Sequence, residues 1–299
     1  MANIIAVIWD CDKTLIDGYM QDPIFEDYEI DAVEFWKEVN SIPNKIKNEG
    51  LRVNTDTYYL NHFINYAKDG KFKGLNNAKL KSYGMRQKYY NGALELLEKI
   101  QNMFKDKSKY SEFGIQVENY VVSTGFAQVI RGSALNDKVE GIWGCELGES
   151  ADSDGEMVIS EVLYTIDNTT KTRAIFEINK GKDIDVNSSI PREFRRVRFE
   201  NMIYIADGPS DIPAFSLIHQ NNGATFAVYP HGDMKALKQV EEMREAGRVD
   251  MYAEADYGDD TTASMWIINK IQEIADRIHE EEKNKILNST SGIPKHLTM

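Results

Sequence analysis

Two pairs of aspartates stand out by their spacing. Asp10 and Asp12 lie two apart, directly after the apolar run Ile4-Ile5-Ala6-Val7-Ile8-Trp9. Asp207 and Asp211 follow Ile203-Tyr204-Ile205-Ala206 in the segment Asp207-Gly208-Pro209-Ser210-Asp211. Taken alone, the first pair is equally a turn or a helix cap, because aspartates accept local backbone hydrogen bonds. The second segment changes that reading, since it adds carboxylates at another strand end, with Gly208 expected to permit a tight turn. Three or four convergent carboxylates repel unless a cation binds. Mg2+, an octahedral ion that takes oxygen ligands and keeps several waters, suits such a set in phosphate chemistry.

The elements that must position these residues follow from hydrophobic patterning. Short continuous apolar runs read as strands buried on both faces of a parallel sheet. Tyr120-Val121-Val122 and Thr225-Phe226-Ala227-Val228 add two more, and each run gives way to small or polar residues and then a helical pattern. This predicts an α/β fold with a doubly wound, Rossmann-like parallel core. In such sheets ligands bind outside the carboxyl ends of the strands. The segments there are Asp10-Cys11-Asp12-Lys13-Thr14, Ser123-Thr124-Gly125 and Asp207 to Asp211.

Between about residues 18 and 91 the strand signal vanishes, and helical stretches are expected at 31–48, 55–68 and 76–89. The reading is an inserted helical cap over 18–91, with the core formed by 1–17 and 92–287. Tyr59, His62, Phe63 and Tyr66 share a helical stripe there, read as packing rather than substrate contact. Residues 92–105 are expected to return to the core as an amphipathic helix with Leu94, Leu97, Ile100 and Phe104 on one stripe. Residues 140–166 read as a small β excursion, 260–285 as a closing helix, and 288–299 as a frayed polar tail.

Composition excludes several classes of function. The 299 residues carry a formal net charge of −13, which opposes binding to nucleic acid or anionic membrane surfaces. No apolar run approaches the roughly 18 to 20 residues of a membrane span, and the start lacks a secretory pattern, so a cytoplasmic location is expected. Cys11 and Cys145 are the only cysteines and are read as packing residues. The five histidines lack metal-ligand spacing.

With these residues in place, the sequence resembles the haloacid dehalogenase superfamily. Asp10, Asp12 and Thr14 match its first motif, D-x-D-x-T, and Ser123 its second. Lys171 matches the third, while Asp207 and Asp211 match the fourth, D-G-x-x-D. Lys180 is a rival for the third position, over two helical turns further on. Val121 to Phe126 and Ile205 to Asp211 resemble the phosphoserine phosphatase-like branch, which places a helical cap between motifs one and two. Two residues depart from that branch. Tyr19 stands where phosphoserine phosphatases have a glutamate that holds the substrate ammonium, and Ser210 where they usually have asparagine.

The resemblance implies a phosphatase acting on a small phosphorylated metabolite. Asp10 would be the nucleophile and Asp12 the general acid and base. Thr14, Ser123, Thr124 and Lys171 would bind the phosphoryl oxygens. Mg2+ would be held by the side chains of Asp10 and Asp207, by the backbone carbonyl of Asp12, and by Asp211 directly or through water. A phosphotransferase or mutase, and a phosphate-binding regulator without turnover, are the alternatives. Leaving group and oligomeric state are not encoded in any recognisable pattern.

Overall fold

The computed structural model describes residues 3–290, apart from residue 183. Its strands are β1 (Asn3–Trp9), β2 (Ile115–Phe126), β3 (Gly141–Ala151), β4 (Met157–Tyr164), β5 (Met202–Ala206), β6 (Ala224–Tyr229) and β7 (Met251–Glu254). They form one seven-stranded sheet in the order β4-β3-β2-β1-β5-β6-β7. Every neighbouring pair is parallel except β3 and β4. The doubly wound parallel core expected from the apolar runs is therefore present. Ile5 through Trp9 are fully buried, so β1 needs cover on both faces, which helices supply.

The helices are α1 (Asp22–Asp27), α2 (Ala32–Lys45), α3 (Thr55–Lys68), α4 (Asn77–Tyr83), α5 (Ala93–Gln101), α6 (Ser108–Ser111), α7 (Ala127–Arg131), α8 (Lys171–Lys180), α9 (Ile212–Gln220), α10 (Met234–Glu245) and α11 (Thr262–Thr290). Helices α1 to α4 occupy the stretch between β1 and α5 in which no strand signal exists. Asp31 and Asn54 cap α2 and α3 by accepting from two backbone amides each, which fixes where those helices start. Phe25, Phe35, Phe63 and Phe72 bury their rings together, and Phe63 also meets Phe126 of β2 edge-on at 5.0 Å. This helical segment thus rests on the carboxyl end of the sheet.

Several details differ from the pattern reading. The amphipathic helix ends at Gln101, and its buried stripe is Ala93, Leu96, Leu97 and Ile100, with Leu94 only half-buried. Phe104 is buried from the turn that follows. The β excursion is not separate, because β3 pairs parallel with β2 and widens the main sheet before β4 returns antiparallel. Helix α4 stops at Tyr83, and β7 was not foreseen because it is a four-residue strand with one buried side chain. Residues 288–290 belong to α11 rather than to a frayed tail, while 291–299 lie outside the described residues.

Candidate active site

Sheet register brings the chemical residues together. Trp9 is level with Val121 of β2 and Ile205 of β5, so Asp10, Ser123 and Asp207 emerge at one edge. The sheet reverses its winding between β1 and β5, and the Asp10 amide donates to the Ile205 carbonyl at 2.9 Å across that point. Ligand crevices form at such reversals because the flanking connections leave in opposite directions.

After Asp10 the chain turns sharply. The Cys11 carbonyl accepts from the amides of Thr14, Leu15 and Ile16, and Lys13 takes a left-handed φ of 55°. Asp12 Oδ1 accepts the Met20 amide at 3.0 Å, which fixes its carboxyl beside the start of the helical segment. Burial, reinforced by the Asp10 charge, pushes the Asp12 carboxyl well above the usual carboxylate range. The buried Cys11 thiol is likewise pushed up, away from the thiolate form.

Lys171, at the first turn of α8, is 1% exposed and lies between two carboxylates. Its Nζ is 2.9 Å from Asp10 Oδ1 and 2.6 Å from Asp211 Oδ1. Burial pulls its pKa down, but the two carboxylates outweigh that and leave it above the ordinary lysine value. Asp211 is fully buried and also accepts from the Tyr204 hydroxyl and, at 2.8 Å, from Ser210 Oγ. One oxygen each from Asp10, Asp207 and Asp211 lie within 4.8 Å of one another. Burial first, then the neighbouring carboxylates, raises Asp10 to about 6 and Asp207 to about 7, despite Lys171. Hard oxygen donors at this spacing, with more negative charge than one ammonium offsets, fit a divalent cation such as Mg2+.

The phosphate-binding candidates are placed less uniformly. Ser123 is buried at the same edge, its Oγ accepting from the Gly125 amide at 3.0 Å. Ser123 to Gly125 lie within β2 rather than after it, because the strand continues through an irregularity to Phe126. The Thr124 carbonyl accepts from Tyr59 Oη at 2.6 Å and from Cys145 Sγ at 3.2 Å. Thr14 is fully buried, and its hydroxyl has no hydrogen-bond partner. Lys180 is directed elsewhere, donating to the carbonyls of Val186 and Ser188.

Gly208 does not serve the turn as expected. Its φ of −173° is extended backbone open to any residue, and a Cβ there would meet nothing within 4 Å. Gly125 lies against the helical segment. A Cβ there would fall 2.3 Å from Met20 Cε, while the Phe126 amide donates to Met20 Sδ at 3.1 Å. That close approach brings the helical segment against the second motif.

Three tyrosine hydroxyls support the site and were not foreseen from sequence. Tyr204 donates to Asp211, Tyr257 to the Thr14 carbonyl at 2.6 Å, and Tyr59 to Thr124. A tyrosine inside an apolar run such as Ile203-Tyr204-Ile205 was the available signal, because a buried hydroxyl needs a partner.

Solved structures share this fold. A haloacid dehalogenase family hydrolase of Salmonella enterica serovar Typhi matches with a TM-score of 0.51 at 15% identity, over 84% of this chain and 67% of its own. A substrate-bound phosphoserine phosphatase matches with a TM-score of 0.50 at 17% identity, over 84% of this chain and 93% of its own. The chain has the haloacid dehalogenase fold. The four segments that resemble the haloacid dehalogenase motifs in sequence lie at one edge of the sheet, and helices α1 to α4 fall between the first and the second. An uncharacterized protein of Borreliella burgdorferi is 36% identical over 285 residues, 90% of this chain and 97% of its own length. The two chains belong to one family. No protein-family profile matches the sequence. Among the described residues, no helix is long and apolar enough to cross a membrane.

Proposed function

We propose that the chain is a Mg2+-dependent phosphatase that hydrolyses a small phosphomonoester through an aspartyl phosphate on Asp10. The observation that carries this reading is the Lys171 ammonium held between Asp10 and Asp211 beside the oxygens of Asp207. A lysine confined there neutralises the approach of a phosphoryl group to a carboxylate nucleophile.

An oxygen of Asp10 attacks phosphorus as the bond to the leaving oxygen breaks. Asp12, whose carboxyl burial pushes well above the usual carboxylate range and so toward its protonated form, gives its proton to the departing alkoxide. The Asp12 carboxylate then takes a proton from water, whose oxygen attacks the aspartyl phosphate and releases phosphate and Asp10. Lys171 has three donor hydrogens. Two are directed at Asp10 and Asp211, which leaves one for a phosphoryl oxygen. Ser123 Oγ, which accepts from Gly125, still has its own hydrogen for a second phosphoryl oxygen, and Thr124 continues that rim. The Thr14 hydroxyl is enclosed and is left out of this cradle. Mg2+ held by Asp10, Asp207, Asp211 and the Asp12 carbonyl would offset charge on the transferring group.

Residues 18–91 would act as the cap that excludes water and selects the leaving group. Phosphate release over a panel of phosphorylated amino acids, amino alcohols, sugars and nucleotides tests the reading. Release should require Mg2+ and stop on chelation. Undiminished release in excess EDTA overturns it.

A further inference from the structure

The turn that carries Asp10 and Asp12 also holds a cation without a carboxylate partner. Lys13 occupies the left-handed region at φ 55°, where a side chain comes at a conformational cost that glycine would avoid. Its Nζ lies 4.3 Å from the centre of the Tyr19 ring. No Asp or Glu oxygen among the described residues lies within 4.0 Å of it, although the charges of Asp207 and Asp233 act on it from further away. Asp233 already commits one oxygen to the first amides of α10. Lys13 is half-buried, while Tyr19 is 43% exposed and meets Trp36 of α2 at 6.4 Å. The pair therefore forms a wall between the aspartate turn and the helical segment, and the wall is open to solvent on one side.

The position of this wall relative to the reaction follows from Asp12. Lys13 is its next residue, and the amide that holds its carboxyl belongs to Met20, the residue after Tyr19. Lys13 and Tyr19 are thus the chain neighbours of the two residues, Asp12 and Met20, that this hydrogen bond joins. Under the reading above, on which this rests, Asp12 protonates the ester oxygen, so the body of the leaving group begins at Asp12 and extends along the wall. We infer that Lys13, seated over Tyr19, binds an anionic group on the leaving alcohol. Preferred substrates are then phosphomonoesters that carry a second negative group, a carboxylate or a further phosphate.

The experiment compares four esters of similar size that differ at the far end: phosphoglycolate, ethylene glycol bisphosphate, ethyl phosphate and phosphoethanolamine. The two anionic esters should exceed ethyl phosphate in kcat/KM by about tenfold, as one partly desolvated charge pair supplies, with phosphoethanolamine lowest. Whichever anionic ester is faster identifies the second group. Lys13→Gln should lower kcat/KM for the anionic esters more than for ethyl phosphate, chiefly through KM, and Lys13→Arg should restore the order. A faster phosphoethanolamine, or an equal loss for all four esters in Lys13→Gln, overturns the inference while leaving the phosphatase reading intact. Failure to turn over any of the four, or any other phosphomonoester, overturns both.

Discussion

Tyr59 of α3 donates its hydroxyl to the carbonyl oxygen of Thr124 at 2.6 Å, joining the helical segment to the residue next to Ser123. Its ring meets Trp36 at 5.6 Å and Phe126 at 5.9 Å, and Tyr59 is buried. Asn54 makes a second tie, its side chain donating to Asp167 Oδ2 at 2.7 Å just before the helix that starts with Lys171. Both segments proposed to bind phosphate are therefore tied to α3 or its cap.

Removing the Tyr59 hydroxyl while keeping the ring separates this tie from packing. Tyr59→Phe leaves the Thr124 carbonyl short of a donor, which costs on the order of 1 kcal/mol in stability. Thermal unfolding of the variant checks that loss. Turnover should fall by several-fold as well, because the strand end that bears Ser123 loses a restraint. A Tyr59→Phe protein with unchanged kcat/KM on every ester would show that the tie has no part in positioning the site.

Lys171→Met tests whether the ammonium is structural, chemical or both. Truncation leaves Asp10 and Asp211 buried without their shared counter-charge, a change that typically costs about 3 to 5 kcal/mol. The metal-free variant should therefore unfold at a lower temperature than the parent. Mg2+ should recover much of the stability, since its charge would replace the missing one, but it should not recover turnover. If Mg2+ restores full phosphate release to Lys171→Met, the lysine has no role in holding the phosphoryl group.

The metal-free protein should also respond to pH in a defined direction. Asp10 and Asp207, raised to about 6 and about 7, bind protons more tightly folded than unfolded. Their contribution is complete below the ordinary carboxylate range and is lost as pH rises through the raised values. Without Mg2+, stability should fall as pH rises from about 4 to about 7, by several kcal/mol at most, and the melting temperature should fall with it. Saturating Mg2+ should flatten that slope, because a bound cation favours the ionised carboxylates. A metal-free melting temperature that rises across the same range would contradict the electrostatic account of the site.

The parts of this site legible in sequence were those with one strong local cause. Continuous apolar runs bounded by polar residues read as strands covered on both faces, and that alone assigns Asp10 and Asp207 to strand ends. Lys171 ranks over Lys180, because two helical turns separate them and only one can face the sheet edge. Gly208 misled because a glycine after a strand signals a turn only when its φ requires it, and here φ is extended. The hydrogen bond from Tyr59 to Thr124 spans 65 positions of chain, and that from Tyr257 to Thr14 spans 243. No periodicity encodes such pairings, since they depend on how finished elements pack. Of the stripe Tyr59, His62, Phe63 and Tyr66 read as packing, Tyr59, Phe63 and Tyr66 are buried and His62 is half-buried, whereas the contact of the Tyr59 hydroxyl with Thr124 was not legible.

The two aspartates of the first motif have identical side chains but different surroundings, and that difference predicts different failures. Asp10 faces Lys171, whereas Asp12 is held by the Met20 amide and is pushed toward its protonated form by burial and by the Asp10 charge. Asp10→Asn should remove the nucleophile and with it every trace of phosphoenzyme. Asp12→Asn should keep Asp10 able to attack but lose the proton donor and base, a factor of ~10² to 10⁴ in rate. The loss should depend on the leaving group. With p-nitrophenyl phosphate, whose leaving group needs little protonation, formation of the aspartyl phosphate should suffer less than its hydrolysis, so phosphoenzyme should accumulate. With an alkyl phosphate both steps slow and little should build up. Rapid quench followed by intact-protein mass spectrometry reads the added phosphoryl group on each variant. Phosphoenzyme on Asp10→Asn, or equal rate losses for aryl and alkyl esters on Asp12→Asn, would reverse or remove the assigned roles.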